Sequence, residues 1–297
     1  MNSIQLLIKE ICDEEGIKLS LISNDWIIVL ERDDKVHYLV GMKFDLNNYV
    51  SAKICNDKYA CFSALKHFNI PVCDYHILYK DTDKGEVLDC FYKYNKDVVI
   101  KANKGCYGDK MFHIKDEEEL FSKMNFLFED NYSISISPFY NIKCEYRNIV
   151  LNNNVELIYG KERPVVVGDG VHTIYELLSD FNKPFFSKLE DHKDLDIVLE
   201  KDKKYSYGWQ HNISKGAKPF KVNDLELEKR LSEIAIEVTK KLNLGFVSVD
   251  IVELDNGDLK VIEVNSGVIT NICDYFPDGE EIAKRIYRKA VLACFEK

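Results

Sequence analysis

Apolar residues recur at helical spacing in several separate segments of the chain. Asp57 stands where it can cap one of these helices, and Asp116 with Glu119 has the spacing of a capping box before another. A helix with Leu120 and Met124 on its apolar face is expected after that box. The other helices are predicted over residues 4–11, 57–68, 173–181, 225–242 and 279–295.

Short apolar runs predict strands between these helices. The segment 133–137 alternates apolar and polar residues, which is typical of a half-buried strand. Asp255-Asn-Gly257 is a strong signal for a tight hairpin turn, and a second hairpin is expected around residues 152–154. The strands are predicted over residues 26–30, 36–40, 97–101, 133–137, 146–151, 155–159, 246–252 and 259–264.

Composition narrows the class of protein. The chain has 297 residues, enough for two or three packed subdomains, with 40 Lys and Arg against 50 Asp and Glu. The net charge of −10 argues against a general nucleic-acid binder, which needs a basic face. The charge-dense run 188–204 is interpreted as a solvated face or a mobile loop.

Two further features of the sequence predict a cytoplasmic protein that does not bind membranes. No apolar run reaches the length of about 18 residues that a membrane helix needs, and the acidic start does not resemble a signal peptide. The nine cysteines are scattered and form no CxxC pair, so we expect them to be reduced and buried.

Common phosphate-binding loops are absent. The nearest match to GxGxxG is Gly168-Asp-Gly170-Val-His-Thr173, which lacks the third glycine. Lys101 instead ends a predicted strand and runs into a loop with two glycines, where backbone N–H groups can approach phosphate oxygens. Taken alone, this pattern is more often a turn with a surface lysine.

The C-terminal hairpin carries three oxygen ligands. Glu263 and Asn265 are two residues apart and therefore point to the same face of the sheet, and the turn can bring Asp250 opposite them. Two carboxylates and an amide carbonyl suit Mg²⁺, with positions left for water and phosphate. An exposed edge hairpin is the alternative interpretation.

Together these motifs resemble the ATP-grasp superfamily of carboxylate–amine ligases, from about residue 40 to the C-terminus. Within it the chain is most similar to the ATP-grasp module of cyanophycin synthetases, bifunctional glutathione synthetases and ribosomal-protein glutamate ligases. The motifs are Phe44-Asp-Leu-Asn47, Ile54-Cys-Asn-Asp-Lys58, Val98-Val-Ile-Lys-Ala-Asn-Lys-Gly105, Glu145-Tyr-Arg147, Val167-Gly-Asp-Gly170 with Thr173-Ile-Tyr-Glu-Leu177, Asn212-Ile-Ser214, and Asp250 with Glu263-Val-Asn-Ser266.

The resemblance implies an α+β fold of the ATP-grasp type. Two α+β subdomains, a lid and a C-terminal antiparallel sheet, would grip ATP, and a small α/β region would precede them. The expected boundaries are 1–70 for the N-terminal region, 71–138 for the lid subdomain and 139–297 for the C-terminal subdomain with the metal site.

The resemblance also implies an ATP site. Lys58 and Lys101 would bind phosphates, and the loop 103–109 would close over the β- and γ-phosphates. The linker strand 133–139 would frame the adenine, although many members have a glutamate where Ser137-Pro138 stand. The further residues expected to contact the nucleotide are Lys104, Gly105, Gly108, Ser137, Phe139 and Glu145.

The catalytic and metal residues follow from the same resemblance. Asp250, Glu263 and Asn265 would bind Mg²⁺, with two ions expected and Mn²⁺ able to substitute. Positive charge on adjacent strands would stabilise the transferring phosphoryl group or hold the substrate carboxylate, and an asparagine would complete the metal or phosphate shell. The residues in these roles are Arg147, Lys161, Arg163 and Asn212. His211 is expected to have a structural role.

The implied reaction activates a carboxylate as an acyl phosphate, which an amine then attacks, releasing ADP and phosphate. The expected substrate is a small-molecule amino acid or peptide, and the assembly a homodimer or homotetramer. Ser266 to Ile269 are expected to line the substrate pocket. Two alternatives stay open: an enzyme that forms side-chain ester or amide bonds in a ribosomal precursor peptide, and a non-catalytic ATP-binding module.

Overall fold

The computed structural model describes residues 3–104, 110–179, 194–269 and 275–296. The chain divides into two compact units, the first formed by residues 1–158 with 222–297 and the second by residues 159–221. Helices and antiparallel sheets are present in an α+β arrangement, as predicted. The division into three subdomains stays a prediction.

The first unit begins with a helix and a four-stranded antiparallel sheet. Helix α1 (Ser3–Glu15) precedes strands β1 (Lys18–Ile22), β2 (Ile27–Arg32), β3 (Lys35–Val40) and β4 (Lys43–Phe44), which lie in that order in the sheet. Ile8 and Ile11 of α1 are fully buried, as the helical spacing predicts. Strand β1 is not among the predicted strands.

A second four-stranded sheet follows two short helices. Asp57 caps α3 by accepting a hydrogen bond from the N–H of Ala60 at 3.0 Å, and Asp116 caps α5 by accepting one from the N–H of Glu119 at 3.0 Å. The sheet has the antiparallel order β5-β8-β6-β7. The elements are α2 (Tyr49–Cys55), α3 (Lys58–His67), β5 (His76–Tyr79), α4 (Lys84–Lys93), β6 (Val98–Ala102), β7 (Met111–Ile114), α5 (Glu117–Asp130) and β8 (Ser133–Pro138).

Strand β8 differs from its prediction. Its first five residues are all buried, so the expectation of a half-buried strand is wrong. The reason is that both faces of the strand are covered: Ile134 and Ile136 pack in the core of this sheet, and the serines on the opposite face are buried as well. Ser135, for example, is fully buried.

The second unit contains the end of a long strand and a small core of its own. Strands β9 (Ile142–Leu151) and β10 (Asn154–Glu162) lead into it, followed by β11 (Val165–Val167), α6 (Ile174–Ser179), β12 (Lys204–Ser206), a 3₁₀ turn (Ile213–Lys215) and β13 (Lys218–Lys221). Strand β11 pairs with β12, and the end of β10 with β13, both antiparallel. The core consists of Val166, Ile174, Leu178, Leu195, Leu199 and Tyr207.

The charge-dense run 188–204 is described from residue 194 onward. Its charged residues from 200 to 204 are exposed, which agrees with a solvated face. Leu195 and Leu199 are nevertheless buried in the core of the second unit, so this segment is also part of that core. Residues 188–193 lie outside the described part of the chain.

The first unit resumes with the elements that carry the predicted metal ligands. Helix α7 (Leu225–Leu242) ends at Asn243, whose left-handed backbone (φ 51°) stops it, and strands β14 (Phe246–Leu254) and β15 (Leu259–Asn265) form the predicted hairpin. Strands β10, β9, β14 and β15 are neighbours in that order. Helix α8 (Gly279–Phe295) packs on α1.

None of the described helices combines the length and apolar character that crossing a bilayer requires. Of the nine cysteines, seven lie in the described residues, and these seven are all buried and form no disulfide. The expectation of buried, reduced thiols is therefore confirmed for this part of the chain.

Candidate functional site

A row of charged side chains crosses three strands of the first unit. Asp250 on β14 stands opposite Glu263 on β15 and opposite Arg147 on β9. Asp250 is 1% exposed, and the Nε and Nη2 atoms of Arg147 donate to its two oxygens, each at 2.8 Å. This bidentate pair holds a buried carboxylate in its ionised form.

The row offers the ligand atoms that a magnesium ion prefers. The Nδ2 atom of Asn265 donates to Asp250 at 3.2 Å, which leaves the amide oxygen of Asn265 as a possible ligand. Glu263 lies 3.7 Å from the Nζ atom of Lys58 and keeps a third of its side chain exposed. Two carboxylates and one amide oxygen on one face fit Mg²⁺. The ligand assignment itself stays a prediction.

Lys101 is buried at the end of β6 and points toward this row. Its residue is 7% exposed, and Nζ donates to the Tyr75 hydroxyl at 3.0 Å. Burial lowers the pKa of Lys101 to about 8, while the negative charge of Glu263 raises it and the positive charge of Lys58 lowers it further. A poorly solvated ammonium gains strongly from an anion, so the site favours phosphate.

Tyr75 was not predicted as a site residue. Its hydroxyl donates to the carbonyl oxygen of Ile262 at 3.1 Å while accepting from Lys101, and burial raises its pKa. Tyr75 reaches this position because Cys73 N–H donates to Val261 O at 2.9 Å, beside β15. No local signal in the sequence marks it, since the contact depends on a pairing between distant segments.

Asn103 ties the start of α3 to the end of β6. Its backbone oxygen accepts from the N–H of Lys58 at 3.2 Å, and its Oδ1 accepts from the N–H of Tyr59 at 3.0 Å. Lys104 Nζ lies 3.9 Å from Asp57, with 71% of its side chain exposed. The predicted phosphate loop therefore starts beside the N-terminus of α3. Gly105 and Gly108 lie outside the described residues.

The residues predicted around the adenine lie at the end of the second sheet. Ser137 is buried opposite Val99, and the N–H of Phe139 donates to Asp97 O at 2.8 Å. The Phe139 ring stacks on His113 with centroids 3.8 Å apart. Glu145, predicted to meet the ribose, lies on β9 opposite Val252.

Three predicted catalytic residues belong to the second unit. Lys161 is buried, and its carbonyl oxygen accepts from His211 Nδ1 at 2.9 Å, so that nitrogen carries a proton. Arg163 donates to Gly208 O at 3.4 Å. Asn212 caps the 3₁₀ turn, with Oδ1 accepting from the N–H of Ser214 at 2.9 Å. These bonds involve the Lys161 backbone, the Arg163 guanidinium and the Asn212 amide, and the catalytic roles of the three residues stay predictions.

The motif Gly168-Asp-Gly170 is occupied by contacts within the second unit. Gly168 N–H donates to Lys203 O at 2.8 Å, Gly170 N–H donates to Leu199 O at 3.1 Å, and Asp169 accepts from two N–H groups of the next turn. A Cβ atom at Gly168 would collide with the carbonyl oxygens of Leu199 and Glu200. The motif therefore has a structural role, in agreement with its lack of the third glycine of a GxGxxG loop.

The structure adds a role for Asn47 and corrects the expectation for Val268. The Asn47 amide accepts from the N–H groups of Gly245 and Phe246 and donates to the carbonyl oxygens of Phe246 and Ser266, and so fixes both ends of the β14–β15 hairpin. Val268 was expected to line the substrate pocket, but it is fully buried, with its N–H bonded to Met42 O. The expectation is wrong for Val268, because the chain after Ser266 turns into the core beside α8.

Comparison with known proteins identifies the fold. Residues 202–289 match the family described as RimK-like ATP-grasp domain. The glutathione biosynthesis bifunctional protein GshAB of Listeria welshimeri is 24% identical over 95% of this chain and 39% of that protein. The GshAB protein of Clostridium perfringens is 26% identical over 90% of this chain and 37% of its own length. The chain thus spans about two fifths of these curated relatives.

Solved structures agree with this match. A bifunctional glutathione synthetase from Pasteurella multocida superposes with a TM-score of 0.58 at 19% identity, over 96% of this chain and 43% of that chain. A D-alanine–D-alanine ligase from Bacillus anthracis in complex with ATP superposes with a TM-score of 0.55 at 17% identity, over 84% of this chain and 67% of that chain. The predicted resemblance to ATP-grasp enzymes and the predicted fold are confirmed.

Proposed function

We propose that this chain, which has the ATP-grasp fold, is an ATP-dependent ligase that joins a carboxylate to an amine and releases ADP and phosphate. One observation carries the proposal: Glu263 lies 3.7 Å from Lys58 Nζ, its charge acts on the buried Lys101, and it stands opposite Asp250, to which Asn265 donates. Four separate elements thus contribute lysines that can bind phosphate and oxygen atoms that can bind a metal.

The metal chemistry we propose rests on the donor set. Asp250, Glu263 and Asn265 would hold Mg²⁺, which neutralises charge on the phosphates and polarises them for attack. Arg147 already holds Asp250 at both oxygens, so this carboxylate is oriented before any ligand arrives. The second ion and its replacement by Mn²⁺ remain expectations from the resemblance.

The substrate carboxylate is a poor electrophile, and transfer of the γ-phosphoryl group to it creates a good leaving group. Charge spreads over the equatorial oxygens during this in-line transfer, and Lys58 and Lys101 are placed to stabilise it. The amine then attacks the acyl carbon and phosphate leaves. Roles for Lys161, Arg163 and Asn212 toward the phosphoryl group or the substrate rest on the resemblance alone.

An amino acid or a peptide is the substrate class we propose. The similar proteins are named as glutathione biosynthesis proteins and D-alanine–D-alanine ligases, which points to small amino-acid substrates. These names do not favour a precursor-peptide enzyme or a non-catalytic module. A cytoplasmic location and a homodimer or homotetramer remain predictions.

The test is analysis of the nucleotide products from Mg-ATP incubated with pools of amino acids and dipeptides. Substrate-dependent ADP and phosphate are expected, and dividing the active pool then identifies the carboxylate. Glu253→Gln serves as the matched control for Glu263→Gln, because Glu253 lies on the same hairpin but binds Lys143 and Tyr146. Release of AMP and pyrophosphate would contradict the proposed mechanism.

A further inference from the structure

Tyr75 lies where the segment before β5 meets β15, and no role has been assigned to it so far. Tyr75 is 6% exposed, and its hydroxyl accepts a hydrogen bond from the buried ammonium of Lys101. That ammonium also lies 4.8 Å from the centroid of the Tyr75 ring. Tyr75 therefore contacts Lys101 at the hydroxyl end of its ring.

The hydroxyl of Tyr75 makes two hydrogen bonds. It accepts from Lys101 Nζ at 3.0 Å and donates to Ile262 O at 3.1 Å. Ile262 directly precedes Glu263, so a single oxygen atom links the end of β6 to the strand with the predicted metal ligands. A phenol oxygen has one proton to donate and lone pairs to accept with, which matches this use.

The backbone before Tyr75 is fixed to the same strand. Val72 and Val261 form a parallel bridge, flanked by hydrogen bonds from Cys73 N–H to Val261 O at 2.9 Å and from Val261 N–H to Pro71 O at 2.8 Å. Tyr75 is thereby held in register with Glu263. A lysine stem has four flexible bonds, and such a side chain needs a fixed acceptor to stay in one position.

We infer that Tyr75 is a positioning residue for nucleotide binding, which holds the Lys101 ammonium at a fixed place relative to Glu263. The inference rests on the proposed function, because it assumes that Lys101 binds a nucleotide phosphate. Tyr75 itself contacts neither the phosphates nor the reacting atoms in this account. Its effect passes through Lys101.

The isosteric variant Tyr75→Phe tests the inference, because it keeps the ring and removes the hydroxyl. Tyr287→Phe is the matched control: Tyr287 is fully buried and its hydroxyl also donates to a backbone oxygen, that of Val268, at 3.0 Å. Tyr287→Phe loses one buried hydrogen bond and Tyr75→Phe loses two, so the melting temperature is expected to fall in both variants and further in Tyr75→Phe. The dissociation constant of Mg-ATP, measured by calorimetry, is expected to rise about tenfold in Tyr75→Phe and to change less than about twofold in Tyr287→Phe.

A double-mutant cycle separates positioning from a general structural effect. Tyr75→Phe is combined with Lys101→Met, and the loss of affinity in the double variant is expected to match that of Lys101→Met alone. Additive losses, or an unchanged dissociation constant in Tyr75→Phe, would overturn the inference. A second readout is the pH dependence of ATP affinity, whose decrease at high pH we call the alkaline limb. The apparent pKa of this limb is expected to fall in Tyr75→Phe, because the Lys101 ammonium loses its hydrogen-bond acceptor.

The groups that face Lys101 must be considered in that pH profile. They are Glu263 on β15, Lys58 on α3, Cys73 before β5 and Glu145 on β9. Tyr75→Phe leaves all four in place, so a shift of the alkaline limb is attributable to the hydroxyl. Wild-type protein that binds Mg-ATP but releases no ADP with any pool would defeat only the proposed function. A wild-type protein without affinity for Mg-ATP would defeat both.

Discussion

Two segments of the chain carry sequence features of a phosphate-binding loop, and their polar groups make different contacts. The Gly168–Gly170 loop in the second unit uses its polar groups for neighbouring backbone, and its Asp169 caps its own turn. The segment from Lys101 to Lys104 in the first unit instead brings a buried ammonium beside Tyr75 and the start of α3. Of these two segments, the one from Lys101 to Lys104 places a positive charge in a buried position.

A structural loop and a candidate phosphate site differ in how their polar and charged groups are satisfied. Polar groups satisfied by nearby backbone stabilise the fold and need no ligand. A buried ammonium with a lowered pKa is costly, and the cost falls when an anion binds. The contrast therefore predicts that variants of the first-unit cluster lose function, whereas variants of the Gly168–Gly170 loop lose stability.

The largest effect is expected for Glu263→Gln. Replacing the carboxylate by a neutral amide weakens the proposed metal site, so kcat for ADP release is expected to fall by a factor on the order of a hundred or more. The matched variant Glu253→Gln on the same hairpin should retain wild-type turnover. Wild-type turnover by Glu263→Gln would remove the metal assignment.

Lys101→Met is expected to have the next largest effect, on affinity. Loss of the ammonium removes a charge-assisted contact to phosphate, so the dissociation constant of Mg-ATP should rise at least about tenfold. Thermal stability at pH 7 should not fall, because an apolar side chain replaces a buried charge. A calorimetric titration and a melting curve on the same sample measure both. A melting temperature that fell together with the affinity would indicate a structural role instead.

The pH dependence of ATP affinity sharpens the same contrast. The pKa of Lys101 is lowered to about 8 in the free protein, and bound phosphates would raise it again. Above pH 8, binding must therefore take up a proton, and affinity should fall by up to about tenfold per pH unit. Below pH 8 this group is charged in both states and contributes no slope. In Lys101→Met, ATP affinity should not show this additional decrease above pH 8. Equal slopes of affinity against pH in the wild type and in Lys101→Met would contradict the assignment.

The sequence was sufficient for elements whose signals are local. Helix α7 spans 225–242 as the apolar spacing predicts, and the Asp255–Gly257 turn forms its hairpin. The cap at Asp57 is likewise visible in the sequence. The short strand β5 and the helix α4 were missed because their apolar patterns are too brief to exceed the turn signals around them.

The residues of the candidate site were predictable where a local motif marks them. They were not predictable where their position depends on a contact between distant segments. Asp250, Glu263 and Lys101 stand out as charges within apolar strands, a local pattern. Tyr75 depends on the bridge between Val72 and Val261, which are almost two hundred residues apart in sequence, and no local pattern encodes that. The burial of Val268 is missed for the same reason, since α8 covers it.

The smallest effect on nucleotide binding is expected for Gly168→Ala. The added Cβ would meet the backbone of Leu199 and Glu200, so the free energy of unfolding should fall by about 1–3 kcal/mol. Below the melting temperature, the dissociation constant of Mg-ATP should change less than about twofold. Chemical denaturation and calorimetry measure the two quantities. A large loss of affinity with unchanged stability would reverse the comparison between the two segments.

The most direct test of the account is the coupling between Mg²⁺ and Glu263 in ATP binding. Calorimetry gives the dissociation constant of ATP with and without Mg²⁺ for the wild type, Glu263→Gln and the control Glu253→Gln. We expect Mg²⁺ to tighten ATP binding in the wild type and in Glu253→Gln, and we expect Glu263→Gln to lose most of this gain. An equal gain in all three proteins would contradict the claim that this hairpin holds the metal of a Mg-ATP site.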